Sequence, residues 1–521
     1  MTGGQWGMYF TGKLRLFAAV AVMTLVSCMP QQSATPACSV PTPSTPPGIP
    51  IDVCGTLFDA TEFGPMAWQT FKTLVWPAAS RGVADATLKI TETTGRSLVF
   101  ETYKADWETF HAFKTPLAWD EYPKTASVCQ GESSTKPLAN NELVLASLNK
   151  FGNLDQADLL PPQDPGDEPP PPPRQGEPPP PRTGEVVFYL TIAQNGTPVR
   201  YLSSFGKVAY ESIVKNNLYQ PDVSRPRPSM APPVAPPNPG ATRMDVGTIT
   251  IKSAWIEMTG FDPRRFHTRV ALLQHPLDKT CREALVGLVG LHIAHKTEVS
   301  PQWIWASFEH VDNAPYRGKP PTQPHYTFNK PENGQNGRMP DHPPLDSRVP
   351  TDTQKEFTIP QPYNVERLRE IAPALQELNK KWREMLADEK VKSVWANYEL
   401  VTVQWPRHKY NKERIGAGRN EGEWLGAFPT PPCGSITPEA SPNVSNSVIE
   451  TFLQAHTRCH WDLTCMSCHN RARNYDFVWS IPLAHKKTPA GDPSAARRAA
   501  LTTLYEVVGQ SQQPAAVHDQ R

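Results

Sequence analysis

The sequence has almost no net charge and lacks the short motifs that identify several enzyme classes. Its 521 residues include 52 Lys and Arg against 51 Asp and Glu, so no basic surface is indicated and we expect no nucleic-acid partner. There is no nucleophile elbow, no phosphate-binding glycine loop and no H-E-x-x-H motif. Hydrolase and kinase functions therefore have no support, and the chain contains no internal repeat.

The apolar run near the N-terminus is too short to cross a bilayer, which needs about 20 residues. Residues 13–28, KLRLFAAVAVMTLVSC, have two basic residues followed by about a dozen mostly apolar ones, the pattern of a signal peptide. The last four, LVSC, resemble a bacterial lipobox, in which the cysteine is lipidated and becomes the mature N-terminus. An ordinary secretory signal with a chance cysteine is the alternative. We expect residues 1–28 to be a lipoprotein signal peptide and Cys28 to carry the lipid anchor.

The residues after Cys28 predict where the protein is held. Met29, in place of an aspartate, resembles lipoproteins that are passed on to the outer membrane. Residues 29–50 are rich in Pro, Ser and Thr and predict an extended tether. We therefore expect a protein anchored by lipid at the periplasmic face of a bacterial membrane, the outer membrane being favoured.

A cysteine–histidine motif lies near the C-terminus, at Cys465-Met466-Ser467-Cys468-His469. This C-x-x-C-H spacing is typical of c-type haem attachment, because one helical turn places both thiols for thioether bonds and the histidine becomes the proximal iron ligand. A zinc site with Cys459, His460, Cys465 and Cys468 is one alternative, and a Cys465–Cys468 disulfide is another. Export favours haem, because exported thiols tend to be oxidised and haem is attached outside the cytoplasm.

The remaining cysteines form an even set once lipid and haem are assigned. Six of the nine are left, and in an oxidising compartment they allow up to three disulfides whose pairing the sequence does not give. They are Cys38, Cys54, Cys129, Cys281, Cys433 and Cys459.

The second axial ligand of the iron is harder to predict. No methionine follows His469, so an axial methionine downstream of the motif is excluded. The histidine candidates are His485, His292 and His295, and an open coordination position is the alternative. His292 and His295 lie in a strand-like run, where alternation puts them on opposite faces, so only one of them can face a buried haem. Four aromatic residues are candidate wall residues of the haem pocket: Trp461, Tyr475, Phe477 and Trp479.

The rest of the chain predicts an α+β fold with a central antiparallel sheet or sandwich, flanking helices and a helical C-terminal segment that bears the haem. Helical spacing is found at residues 63–77, 140–150, 365–397 (broken near Pro373) and 443–456. Period-two runs predict strands at residues 186–192, 198–204, 247–258, 266–273, 285–296, 303–311 and 398–405. A hairpin turn is predicted at Asn195-Gly196, between the first two of these strands. We expect a helical part at 51–160, a proline-rich loop at 161–184, a β-rich part at 185–318, a mixed segment at 319–440 and the haem segment at 441–521. A second proline-rich insert occupies residues 221–240.

Several stretches resemble bacterial exported proteins of the cytochrome c family that have one haem motif close to the C-terminus. They are AWQTFKTLVWPA (67–78), FETYKADWETF (100–110), IKSAWIEM (251–258), GLVGLHIAHKT (287–297), PQWIWASFEHVDNAP (301–315), TCMSCHNRA (464–472) and DFVW (476–479). They span most of the mature chain, with the proline inserts as departures. The resemblance implies that Cys465, Cys468 and His469 carry haem c and that the tryptophan-rich strands belong to the same unit.

Three functions compete. The first is electron transfer to a periplasmic or membrane redox partner by a six-coordinate iron. The second is a haem enzyme or a sensor of peroxide or a small gas, with an open iron position, and His310, Asp312 and Asn313 as candidate pocket residues. The third is a non-redox surface lipoprotein that binds a ligand through its β part, which leaves the C-x-x-C-H motif unexplained.

Overall fold

The structure, a computed structural model, describes only part of the chain. The described residues are 40–53, 57, 59–93, 95–110, 115–148, 188–219, 244–276, 278–300, 303–323, 325–330, 348–349, 362, 364–388, 390–405, 446–451, 465, 469 and 475–481. The chain divides into two compact units, Met1–Cys38 and Ser39–Arg521. All described residues belong to the second unit, so the predicted signal peptide and Cys28 lie outside them, as do both proline-rich inserts. Among the described helices, none has the length and apolar character needed to cross a membrane.

The secondary structure contains four α-helices and twelve strands within the described ranges. The helices are α1 (Ala60–Leu74), α2 (Asp106–Thr109), α3 (Lys207–Lys215) and α4 (Pro373–Ala387). The strands are β1 (Ala78–Ser80), β2 (Val83–Ala84), β3 (Lys104–Ala105), β4 (Leu143–Leu145), β5 (Phe188–Tyr189), β6 (Arg200–Phe205), β7 (Ile249–Glu257), β8 (Thr268–Gln274), β9 (Cys281–His295), β10 (Ile304–His310), β11 (Arg348–Val349) and β12 (Tyr398–Gln404).

One eight-stranded sheet organises the fold. Its main path runs β12-β10-β9-β7-β6-β3, and β8 pairs with both β9 and β4. Every pair is antiparallel except β4 with β8, which is parallel. Strands from before and after the proline-rich inserts therefore share one sheet. The predicted α+β class with a central, mainly antiparallel sheet is confirmed.

Helices α1 and α4 cover one face of this sheet with aromatic side chains. The indole of Trp68 in α1 stacks on Trp382 in α4 at 5.3 Å and meets the ring of Phe308 in β10 edge-on at 5.0 Å. The indole N–H of Trp68 donates to Asn379 at 3.0 Å, so its polar atom is satisfied inside the core. Helix α1 begins after Asp59, whose carboxylate accepts the N–H of Thr61 as an N-cap.

Two helix predictions differ from the structure. Residues 140–150 were expected to be helical, but Leu143–Leu145 form the buried strand β4, because pairing with β8 outweighs a short helical spacing. The helical region predicted over residues 365–397 was expected to break near Pro373, and an α-helix is found only on the C-terminal side of that break, as α4. It begins at Pro373, since proline is favoured in the first turn of a helix, where its missing N–H costs nothing.

The predicted hairpin around Asn195-Gly196 is only partly formed. The turn is present, with Gly196 at φ 81° and a bridge between Ile192 and Pro198. The strand before it, however, pairs with β11 rather than with β6. Most of the helical C-terminal segment predicted to bear the haem lies outside the described residues.

Candidate functional site

The two faces of the sheet differ in what covers them, and the strand register assigns side chains to each face. Trp305 in β10 pairs with Ala294 in β9 and with Gln404 in β12. Because side chains alternate along a strand, His292 shares the face of Trp305. His295, which pairs with Ile304, lies on the opposite face, that of Phe308 and the helices. We call the face of Trp305 the C-terminal face, because residues of the C-terminal segment pack on it.

Residues of the C-terminal segment are fastened to this face by buried hydrogen bonds. The side-chain amide of Asn446 donates to the hydroxyl of Ser307 at 3.1 Å and to the carbonyl of Phe308 at 2.9 Å. The backbone N–H and hydroxyl of Ser447 both donate to the carboxylate of Glu309, at 2.8 and 3.0 Å. Gly290 allows this approach, because a Cβ there would lie 2.9 Å from the side chain of Val448.

The two described members of the C-x-x-C-H motif contact neighbouring side chains of this face. The backbone N–H of Cys465 donates to the amide oxygen of Gln404 at 2.9 Å. The imidazole of His469 packs against the indole of Trp305, with ring centroids 4.3 Å apart. Since Gln404 and Trp305 are cross-strand partners, both contacts of the motif are made with neighbouring residues of β12 and β10. Cys468 lies outside the described residues.

The hydrogen bond of His469 fixes the tautomer of its imidazole. Its Nδ1 lies 2.7 Å from the carbonyl oxygen of Phe477. A carbonyl can only accept, so Nδ1 carries the proton and, in the neutral ring, Nε2 has the lone pair. Metal-ligating histidines characteristically donate the other ring N–H in this way. The arrangement fits a proximal haem ligand that binds iron through Nε2.

The aromatic residues predicted to wall the haem pocket are buried where they are described. Tyr475, Phe477 and Trp479 are all buried, and Trp461 lies outside the described residues. Their neighbour Asp476 is also buried, and its carboxylate forms an ion pair with Lys296, the residue directly after β9. The turn after the motif therefore packs into the body of the protein.

The distal-ligand candidates differ in their surroundings. His292, on the C-terminal face, has its Nε2 3.2 Å from a carboxylate oxygen of Glu450. His295 is buried on the opposite face, where desolvation lowers its pKa to about 4. Its Nδ1 has no hydrogen-bond partner in the part of the chain that the structure describes. His485 lies outside that part.

The polar residues proposed to line an open pocket, His310, Asp312 and Asn313, have structural roles. The Nε2–H of His310 donates to the carbonyl of Arg265 at 2.9 Å, and its Nδ1 accepts the N–H of Asp312 at 3.1 Å. Both ring nitrogens are thus engaged, and burial lowers the pKa of His310 to about 4. The carboxylate of Asp312 pairs with Arg265, and the amide of Asn313 donates to Val289. These residues stabilise the turn after β10.

One disulfide joins two of the six cysteines expected to pair. Cys129 and Cys281 are bonded, with their Cα atoms 5.6 Å apart. The other four lie outside the described residues. Within the described ranges, no group of three or more His, Cys, Asp or Glu side chains is arranged to hold a metal ion. A haem iron needs only one or two protein ligands, so this finding does not bear on the motif.

Comparisons with protein-family models, with curated proteins and with solved structures find no match to this chain. The site therefore has to be interpreted from its own residues. Sequence reasoning found the motif and its aromatic neighbours but missed Trp305 and Gln404. No spacing rule links them to residues so distant in the chain, and only the register of β10 with β12 brings the two together.

Proposed function

We propose that this protein is an exported, membrane-tethered c-type cytochrome with one covalently bound haem c, and that it transfers electrons. The hydrogen bond from the Nδ1–H of His469 to the carbonyl of Phe477 carries the proposal, because it selects the tautomer that an iron ligand requires. In this proposal Cys465 and Cys468 form the thioethers within a helical C-terminal segment, and His469 is the proximal ligand. Haem held there would supply reversible one-electron exchange.

The residues around the motif would orient the cofactor and restrict water. Gln404 holds the backbone at Cys465, and Trp305 packs on the ring of His469. The buried side chains of Tyr475, Phe477 and Trp479 supply apolar surface next to the motif. An apolar surrounding of this kind is one of the means by which a protein sets a haem potential.

The cysteine chemistry supports the proposed compartment. The Cys129–Cys281 disulfide supports export, because such bonds persist in oxidising compartments. We propose that the lipid on Cys28 anchors the protein at the periplasmic face of the outer membrane and that it exchanges electrons with a periplasmic or membrane redox partner. His292 and His485 are the distal candidates that we retain, since His295 lies on the face opposite to Trp305.

A haem enzyme or a sensor of peroxide or a small gas is the second candidate, and the contact of His292 favours it. A carboxylate oxygen of Glu450 lies 3.2 Å from the Nε2 of this histidine. A histidine whose Nε2 faces a carboxylate would not be free to bind iron, and the sixth iron position would be left to an external ligand. Under this alternative the same residues hold the cofactor, but the iron binds an external ligand, for catalysis or for sensing, instead of transferring electrons between partners.

An optical spectrum of the protein produced with the haem-attachment machinery distinguishes the two functions. Low-spin bands in both redox states that carbon monoxide does not change support electron transfer. A high-spin ferrous form that takes up carbon monoxide supports the enzyme or sensor. Mature protein without any haem absorption would overturn both.

A further inference from the structure

Two adjacent residues after the motif have backbone conformations that residues with a side chain rarely adopt. Asp476 has φ 50° and Phe477 has φ 66°. The N–H of Val478 donates to the carbonyl of Tyr475 at 3.1 Å, closing a tight turn around them. Positive φ at both central positions is typical of a type I′ turn, for which Asn-Gly and Gly-Gly are preferred. A phenylalanine in this conformation costs free energy that surrounding contacts must offset.

A buried ion pair ties this turn to the sheet. The Oδ2 of Asp476 lies 2.5 Å from the Nζ of Lys296 and also accepts the N–H of Met244 at 2.7 Å. The side chains of Asp476 and Lys296 are 1% and 6% exposed. Lys296 directly follows the last residue of β9. The turn is therefore held by a charged contact with the end of a central strand.

The turn retains a second unfavourable feature. The other carboxylate oxygen of Asp476, Oδ1, is buried and has no hydrogen-bond partner among the residues that the structure describes. A buried charged group with one unsatisfied oxygen is costly. Strain and an unsatisfied polar atom at the same turn are typical of functional sites, where geometry is kept at the expense of stability.

We propose that Lys296 and Asp476 are positioning residues that aim the carbonyl of Phe477 at the Nδ1–H of His469. The inference rests on the proposed function, since it concerns the iron ligand. Holding Asp476 in the left-handed conformation fixes the path of the chain into Phe477, whose carbonyl accepts from His469 at 2.7 Å. The ion pair thus acts on the histidine through one backbone carbonyl.

This positioning has a consequence for the reduction potential. A hydrogen bond donated by Nδ1–H increases the basicity of the ligating imidazole, and a more basic ligand favours ferric over ferrous iron. Loss of the acceptor would raise the potential. Outer-shell partners of metal ligands typically contribute about tenfold to metal affinity. If that factor falls on the ferric state alone, it corresponds to about 59 mV in a one-electron couple.

Two variants test the proposal, with a third as a matched control. Asp476→Asn keeps an acceptor for the N–H of Met244 but removes the ion pair. Lys296→Gln combined with Asp476→Asn removes both charges, so it leaves no unpaired buried charge and no change in net charge near the iron. Glu108→Gln disrupts the Lys104–Glu108 ion pair at the β3 end of the sheet, in which Nζ and Oε2 lie 3.6 Å apart, Lys104 is buried and Glu108 is partly buried. Intact mass establishes covalent haem in each protein before its potential is measured.

We expect the wild type and all three variants to carry haem. The potential should rise by about 59 mV in the double variant, by a similar or larger amount in Asp476→Asn, and not in the control. If the haem-loaded double variant and the control have the wild-type potential, the positioning role is wrong while the proposed function stands. Wild type without covalent haem would overturn the proposed function and this inference together. If Asp476→Asn does not accumulate, the reduction potential of the charge-neutral double variant tests the positioning role.

Discussion

Trp305 and His469 pack ring against ring, with centroids 4.3 Å apart, although one lies in a central strand and the other near the end of the chain. This contact joins the C-x-x-C-H motif to the eight-stranded sheet. The C-terminal segment completes its packing on a face of the eight-stranded sheet, through Asn446, Ser447 and Cys465 as well as His469. The candidate haem site is therefore shared between that segment and the sheet.

The distal ligand can be identified by replacing the histidines of β9. If His292 is the distal ligand, His292→Ala converts the low-spin spectrum into a high-spin ferrous form that binds carbon monoxide. His295→Ala should leave the spectrum unchanged, because His295 lies on the face opposite to Trp305. The two residues share one strand, so each variant is a control for the other, and absorption spectra in both redox states provide the measurement.

His485→Ala completes this series. If only this variant changes the spectrum, His485 is the distal ligand. A low-spin spectrum that changes in His295→Ala would contradict the assignment of faces. A wild-type spectrum that is already high-spin would favour the enzyme or sensor.

The Cys129–Cys281 disulfide should contribute strongly to stability. It closes a loop with a sequence separation of 152 residues, and the loss of chain entropy in the unfolded state predicts about 3–5 kcal/mol. Cys129→Ser, Cys281→Ser and the double variant should all be destabilised by this amount in equilibrium denaturant unfolding, because each removes the same bond. Additive effects of the two single substitutions would contradict the pairing.

Burial of His295 predicts a specific dependence of stability on pH. Desolvation lowers the pKa of this imidazole from 6.5 to about 4. Between these values the unfolded state binds a proton that the folded state does not, so stability is present above about pH 6.5 and is lost as the pH falls toward 4. A shift of this size corresponds to roughly 3 kcal/mol at most.

His295→Leu isolates this effect from the titration of carboxylates. It removes the buried imidazole and its unpartnered Nδ1, so we expect little loss of stability near pH 7. Between about pH 7 and about pH 4.5 the variant should lose roughly 2–3 kcal/mol less than the wild type. Denaturant unfolding at both pH values measures the difference. Equal losses in the two proteins would show that His295 is accessible to protons in the folded state.

Local patterns were sufficient to predict most elements of the sheet. Period-two runs located β7, β8, β9, β10 and β12, and the helical spacing at residues 63–77 located α1. These segments are long and strongly patterned, so tertiary contacts reinforce the local signal. The prediction failed at Leu143–Leu145, where three buried residues carry too little periodicity to distinguish a strand from a helix.

The candidate site was predicted less completely than the fold. C-x-x-C-H is a local sequence signal, and it predicts His469 as the proximal ligand without any knowledge of the fold. Trp305 and Gln404 contact the segment together only because the register of β10 with β12 pairs them. Lys296 contacts it from the position after β9. The left-handed conformation of Phe477 also had no sequence signal, since phenylalanine is not a residue that such turns prefer.

The intact mass of the mature protein, produced with competent export and haem-attachment machinery, tests the central claim most directly. We predict a mass increased by one covalently bound haem, and loss of that increase when Cys465 and Cys468 are both replaced by Ala. A wild-type protein whose mass is that of the processed polypeptide and its lipid alone would contradict the account.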